Sequence, residues 1–107
     1  MKRIKKTAQE KQEEFRNLLH KRAEEEMEKA KLQLTSKQLK ICDKFVAELV
    51  EGRRHPFETE HGDSFQGDVF HSDIDYGLKI RAGKDYPTSM HSYVCNKLRI
   101  LGYLVHS

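Results

Sequence analysis

The histidines and carboxylates in the middle of the chain are the first groups that could do chemistry. His55, His61 and His71 stand close in sequence to Asp63, Asp68 and Asp73. Imidazole nitrogens and carboxylate oxygens together hold divalent cations, and a bound cation activates water for hydrolysis. The spacing does not follow that chemistry. There is no His-Glu-x-x-His, and the acids do not alternate as they do in a calcium loop. Ser64 and Ser72 lack the Gly-x-Ser-x-Gly turn that presents a serine nucleophile. No Gly-rich phosphate loop is present. The expectation is of solvated turn residues, with no metal, no cofactor and no catalytic centre. Cys42 and Cys95 lie among apolar residues and lack Cys-x-x-Cys spacing. That pattern predicts two buried free thiols, not a disulfide and not zinc ligands.

A second set of residues lies towards the C-terminus. Ser89, His91, Ser92, Asn96 and Arg99 fall on what reads as one side of a helix, with Lys79, Arg81, Lys84 and Lys97 nearby. Asn and Arg make paired hydrogen bonds to adenine and guanine edges, and lysines neutralise phosphates. Any surface helix also carries polar residues outward, so this pattern is open to both readings. Charge adds some weight. Residues 1–34 hold ten Lys/Arg against seven Asp/Glu, and residues 35–107 hold ten of each, which gives the net +3. Within the second part, residues 55–78 hold six acids and no Lys or Arg, and residues 79–99 hold five cations against Asp85. An acidic block ahead of a basic one steers a polyanion to one face. The spaced acids could equally imitate a phosphate backbone and occupy a partner's nucleic-acid groove.

These groups need elements to position them. Residues 3–34 contain no Gly or Pro and are rich in Glu, Lys, Gln and Ala, which predicts one long helix. Its apolar stripe of Ile4, Ala8, Phe15, Leu19, Ala23, Met27, Ala30 and Leu34 is thin and rich in Ala, too weak for an established coiled coil. Phe15, Leu19 and Met27 are its candidate partner-binding residues, for a second copy of the chain or a different protein. Thr35 with Gln38 reads as a capping box opening a second helix to about residue 51, with Gly52 as a C′ residue. Its inner face is Leu39, Cys42, Phe45, Val46, Leu49 and Val50.

Residues 57–71 read as short strands with turns near Gly62 and Gly67. Ser72 reads as the cap of a helix over 73–82, although Tyr76, Leu78, Ile80 and Ala82 also alternate as in a strand. Thr88 or Ser89 should cap the last helix, with Met90, Tyr93, Val94, Leu98 and Leu101 inward. Gly102 should end it, and Tyr103-Leu104-Val105 should form a strand. The fold class is α+β, mostly α: a long charged helix over 1–34, then a compact domain over 35–107.

Lys97-Leu98-Arg99-Ile100-Leu101-Gly102-Tyr103-Leu104, a helix running into a strand, resembles the recognition helix and first wing strand of winged-helix proteins. The order helix, strand, helix, helix, strand over residues 36–107 is similar too, although the chain ends before a second wing strand. The resemblance implies a small non-enzymatic nucleic-acid-binding regulator. The alternative is an interaction or inhibitor module that binds a larger nucleoprotein complex through the long helix and acidic loops. DNA or a nucleoprotein complex is the expected partner, with a homodimer through the first helix as a further possibility. No stretch approaches the ~20 apolar residues of a membrane span, and the basic Met1–Lys6 lacks the apolar run of a signal peptide. The expected location is cytoplasmic, or nuclear in a eukaryote.

Overall fold

The computed structural model of the chain describes residues 8–60, 62 and 64–106, with side chains from Glu14 onward. The basic start Met1–Lys6, the Ala8 side chain, and His61 and Asp63 lie outside the described residues.

The long helix, α1, runs Ala8–Leu32. Ala23 and Ala30 are buried, and Met27 packs between them against the core. Among the described residues this i, i+4, i+7 stripe is the buried part of α1, and its small side chains bring α1 close to a later helix. Side chains 14–22 are all exposed. The second helix, α2 (Ser36–Glu51), begins as its sequence dictates. The Gln38 amide donates to Thr35 Oγ1 at 3.1 Å, and the Thr35 amide donates to Gln38 Oε1 at 2.9 Å. Two orphan donors are satisfied at once. Cys42, Phe45, Val46 and Leu49 are buried. Gly52 closes the helix at φ −100°, without the left-handed turn expected of a C′ glycine.

Four short strands follow among the described residues. β1 (Phe57–Glu58) and β2 (Ser64–Phe65) form an antiparallel hairpin, with the Phe57 and Phe65 rings 5.5 Å apart. β3 (Gly67–Phe70) pairs in parallel with the final strand, β4 (Tyr103–His106), Gly67 facing Tyr103. A parallel pair needs a crossover between its strands. Helices α3 (His71–Ala82) and α4 (Thr88–Ile100) supply it.

Residues 71–82 are helical, which settles the competition between period two and period 3.6. Ile74 and Leu78, four apart, are fully buried, while Tyr76 and Ile80 are 69% and 63% exposed. Both expected serine and threonine caps are corrected. Phe70 and Pro87 occupy the N-cap positions without side-chain hydrogen bonds. Ser72 falls inside the first turn of α3, and the Ser89 hydroxyl is used elsewhere. Leu101, expected inside, is 46% exposed, because Leu98 is the last inward residue before α4 ends. Gly102 turns the chain into β4 at φ +93°, a backbone that L side chains rarely adopt. Both cysteines are buried and free. No helix among the described residues is long and apolar enough to cross a membrane.

Candidate functional site

The helix expected to present a reading face is the centre of the molecule. α4 packs against α1, α2, α3 and β4. Its polar residues therefore go to different places. Asn96, expected on the open face, is buried. Its Nδ2 donates to the Ser92 carbonyl at 2.9 Å and lies 3.3 Å from the Ser92 hydroxyl, and its Oδ1 accepts from Arg99 at 3.2 Å. Ser92 is half-buried. The half-buried Ser89 donates to Gln33 Oε1 at 3.0 Å, tying α4 to the end of α1. His91 turns inward, towards α3. The open face predicted for Ser89, His91, Ser92, Asn96 and Arg99 is thus corrected for all but Arg99. α1 covers α4, and the polar atoms satisfy one another.

Most of the cations are also engaged. Lys79 pairs with Asp75 at 2.9 Å. Arg81 pairs with Glu48 and lays its guanidinium over the Phe45 ring, 4.4 Å from the centroid. Lys97 reaches Asp43 at 2.5 Å, and Tyr93 also donates to Asp43, at 2.7 Å. Burial raises the Asp43 carboxyl, but hydrogen bonds from Lys97 and Tyr93 outweigh it and hold the group below its ordinary value. The same contact outweighs burial at Lys97 and raises its ammonium. Lys84 and Arg99 are exposed. The expected row of acids is interrupted by pairing too, with Asp73 on Arg53 at 3.3 Å and Asp68 beside His106 at 3.5 Å.

A concavity lies elsewhere. A groove of about 930 Å³ runs between the front of α1 and the body. Phe15 and Leu19 form one wall, and Ile100, Tyr103, Leu104 and Val105 form the floor and opposite side. His20 Nε2 approaches the Ile100 carbonyl at 3.3 Å across it. Phe15, Leu18 and Leu19 are 63%, 62% and 47% exposed. These adjacent apolar side chains are left open on an otherwise charged helix. The rim is cationic: Arg16, Arg22 and Arg99 face one lining carboxylate, Glu26. Of the partner-binding residues predicted from sequence, Phe15 and Leu19 line this groove. Met27 does not, because it sits on the Ala23/Ala30 stripe that faces the core. The contribution of β4 was not legible in sequence, since Leu104 and Val105 reach α1 only through tertiary packing.

A second cluster joins α3 to α4. His71 Nδ1 lies 3.0 Å from His91 Nε2 and 3.5 Å from Cys95 Sγ. The two imidazole planes differ by 8°, with centroids 5.3 Å apart, so the nitrogens meet edge to edge. Behind His91, Tyr86 donates to Asp75 Oδ1 at 2.5 Å, and its oxygen is 3.2 Å from His91 Nδ1. Burial, and then the facing His71, hold the His91 imidazolium below its usual range. Burial pushes the Cys95 thiol up to about 11. Sequence reasoning grouped His71 with His55, His61 and the turn acids, whereas the fold groups it with His91 and Cys95. The i, i+4 spacing of His91 and Cys95 on one helix was the available signal.

No protein-family model, curated protein sequence or solved structure matches this chain. The functional reading therefore rests on the geometry above.

Proposed function

We propose that the protein is a non-enzymatic interaction module that takes an apolar, acid-flanked helical segment of a partner into the groove between α1 and β4. The carrying observation is the exposure of Phe15 and Leu19 in a groove whose floor is apolar and whose rim is cationic. An amphipathic helix fits such a groove through anchors at i, i+3, i+4 and i+7. Carboxylates flanking those anchors would meet Arg22 and Arg99. A component of a nucleoprotein complex is the partner class in view.

The test is selection of binders from a displayed library of random helical peptides. The expected winners carry apolar anchors at helical spacing with Asp or Glu on their flanks. They should lose binding to Leu19→Glu and weaken on Arg99→Glu. A selection whose binders are indifferent to Phe15→Glu and Leu19→Glu would overturn the proposal.

A second reading is a nucleic-acid-binding regulator with a winged-helix-like core over residues 36–107. Its support is the order of α2, strands, α3, α4 and β4, together with the exposure of Lys84 and Arg99. Titration of labelled duplex DNA at two salt concentrations separates the two readings. Binding that falls steeply with salt, survives Leu19→Glu and vanishes with joint charge reversal of Lys97 and Arg99 would favour DNA.

A further inference from the structure

We propose that His71, His91 and Cys95 form a binding site for one zinc-class divalent cation between α3 and α4. The three donor atoms all lie within 4.8 Å of one another. They come from two elements. His91 and Cys95 are one turn apart on α4, and His71 is the first residue of α3. The site does not depend on the groove or on its occupant.

The proton inventory makes the cluster unusual. Tyr86 gives its hydroxyl hydrogen to Asp75, so its oxygen accepts from His91 Nδ1–H. His91 Nε2 then carries a lone pair in its neutral form. That lone pair points at His71 Nδ1, 3.0 Å away, with Cys95 Sγ a further neighbour of the same His71 atom at 3.5 Å. Without a cation, His71 must place its single Nδ1 proton between an imidazole nitrogen and a sulfur. With one, His71 carries its proton on Nε2 instead, and all three lone pairs have a common target.

The distances suit that target. Tetrahedral zinc bonds of ~2.0–2.1 Å to nitrogen and ~2.3 Å to sulfur imply N–N and N–S edges of roughly 3.3 and 3.5 Å. The two edges from His71 are 3.0 and 3.5 Å and the third lies within 4.8 Å, so the rings open the centre by each turning roughly 35° off their common line. Two imidazoles and a thiolate select a borderline-soft ion such as zinc over magnesium or calcium. The Cys95 proton leaves to solvent on binding, as a coordinating thiol requires. Tyr86 and Asp75 act on the far nitrogen of His91, fixing its tautomer and ring plane as outer partners of metal-bound histidines do. Both imidazoles are half-buried, so the fourth position is within reach of a water molecule. Bound metal would clamp the start of α3 to the middle of α4.

The experiment is a Co²⁺ titration of the full chain after treatment with chelator. The expected result is one equivalent bound, with the intense visible bands of tetrahedral cobalt and a thiolate-to-cobalt charge-transfer band. Zn²⁺ should displace the cobalt and raise Tm as its concentration increases. Cys95→Ser should remove the charge-transfer band, and Cys42→Ser, which alters the other buried thiol, should leave it. Tyr86→Phe should weaken affinity by about tenfold or more. Should Cys95→Ser not fold, His71→Gln at the half-buried start of α3 serves in its place and should abolish the tetrahedral bands. Failure to bind a stoichiometric ion, or cobalt spectra unchanged by substitution at both Cys95 and His71, would overturn the proposal.

Discussion

Gly77 sits inside α3, where an alanine would ordinarily improve the helix. A methyl group there would lie 2.1 Å from Cζ and 2.5 Å from Cε1 of Phe45. The Phe45 ring has little room to retreat, being 3% exposed with the Arg81 guanidinium 4.4 Å from its centroid. Two effects therefore oppose each other in Gly77→Ala. Relief of backbone entropy favours alanine by about 0.5–1 kcal/mol. Overpacking a filled interior costs about 1–3 kcal/mol, and a contact this short places the cost in the upper part of that range. The expected net loss is about 1–2 kcal/mol, a fall in Tm of roughly 4–16 °C for a domain of this size. Urea denaturation followed by far-UV circular dichroism measures it. Phe45→Leu in the Gly77→Ala background should recover part of the loss, because the clash partner is removed, and the double-mutant cycle isolates that coupling. A Gly77→Ala protein as stable as the parent, or an uncoupled cycle, would refute the packing argument.

Other substitutions separate stability from binding. Thr35→Ala removes the capping hydroxyl of α2 and should cost about 1 kcal/mol, read as a lower urea midpoint. Leu19→Glu lies on an exposed wall and should leave Tm within about 2–4 °C, the equivalent of the roughly ±0.5 kcal/mol expected of surface changes. Ala23→Leu, one turn further on, should lower Tm, because Ala23 is buried where α1 meets the core. Equal effects from these two would mean that the front of α1 is docked after all.

The Asp43–Lys97 pair predicts the shape of the pH–stability curve. Asp43 is held below its ordinary 3.8, so its contribution is present above that value and is lost as pH falls through the folded one. Lys97 is held above its ordinary 10.5, so its contribution is present below that value and is lost as pH rises through the folded one. Asp43→Asn should flatten both limbs in urea midpoints collected across pH, and an unchanged profile would show that the pair adds nothing.

Local chemistry was readable from the residues alone wherever a single element settled it. Thr35 and Gln38 cap α2 because both partners lie within one turn. The apolar spacing of α2 named its buried face, whereas the single stripe read along α1 divides, with Ala23, Met27, Ala30 and Leu34 packed inward and Phe15 and Leu19 exposed. The α+β character, mostly α, followed from those patterns and the turn glycines. What sequence could not decide was which surface each helix loses to a neighbour. The polar side of the last helix looks open in one dimension, yet α1 lies along it and buries Asn96. The helix expected over 73–82 competes with the period-two alternation of Tyr76, Leu78, Ile80 and Ala82 until Ile74 and Leu78 are seen packed one turn apart. The groove needs Phe15 and Leu104, and the histidine–cysteine cluster needs His71 and Cys95, pairs far apart in the chain. Hydrophobic burial and close packing bring such residues together, and those forces act between elements, not along them.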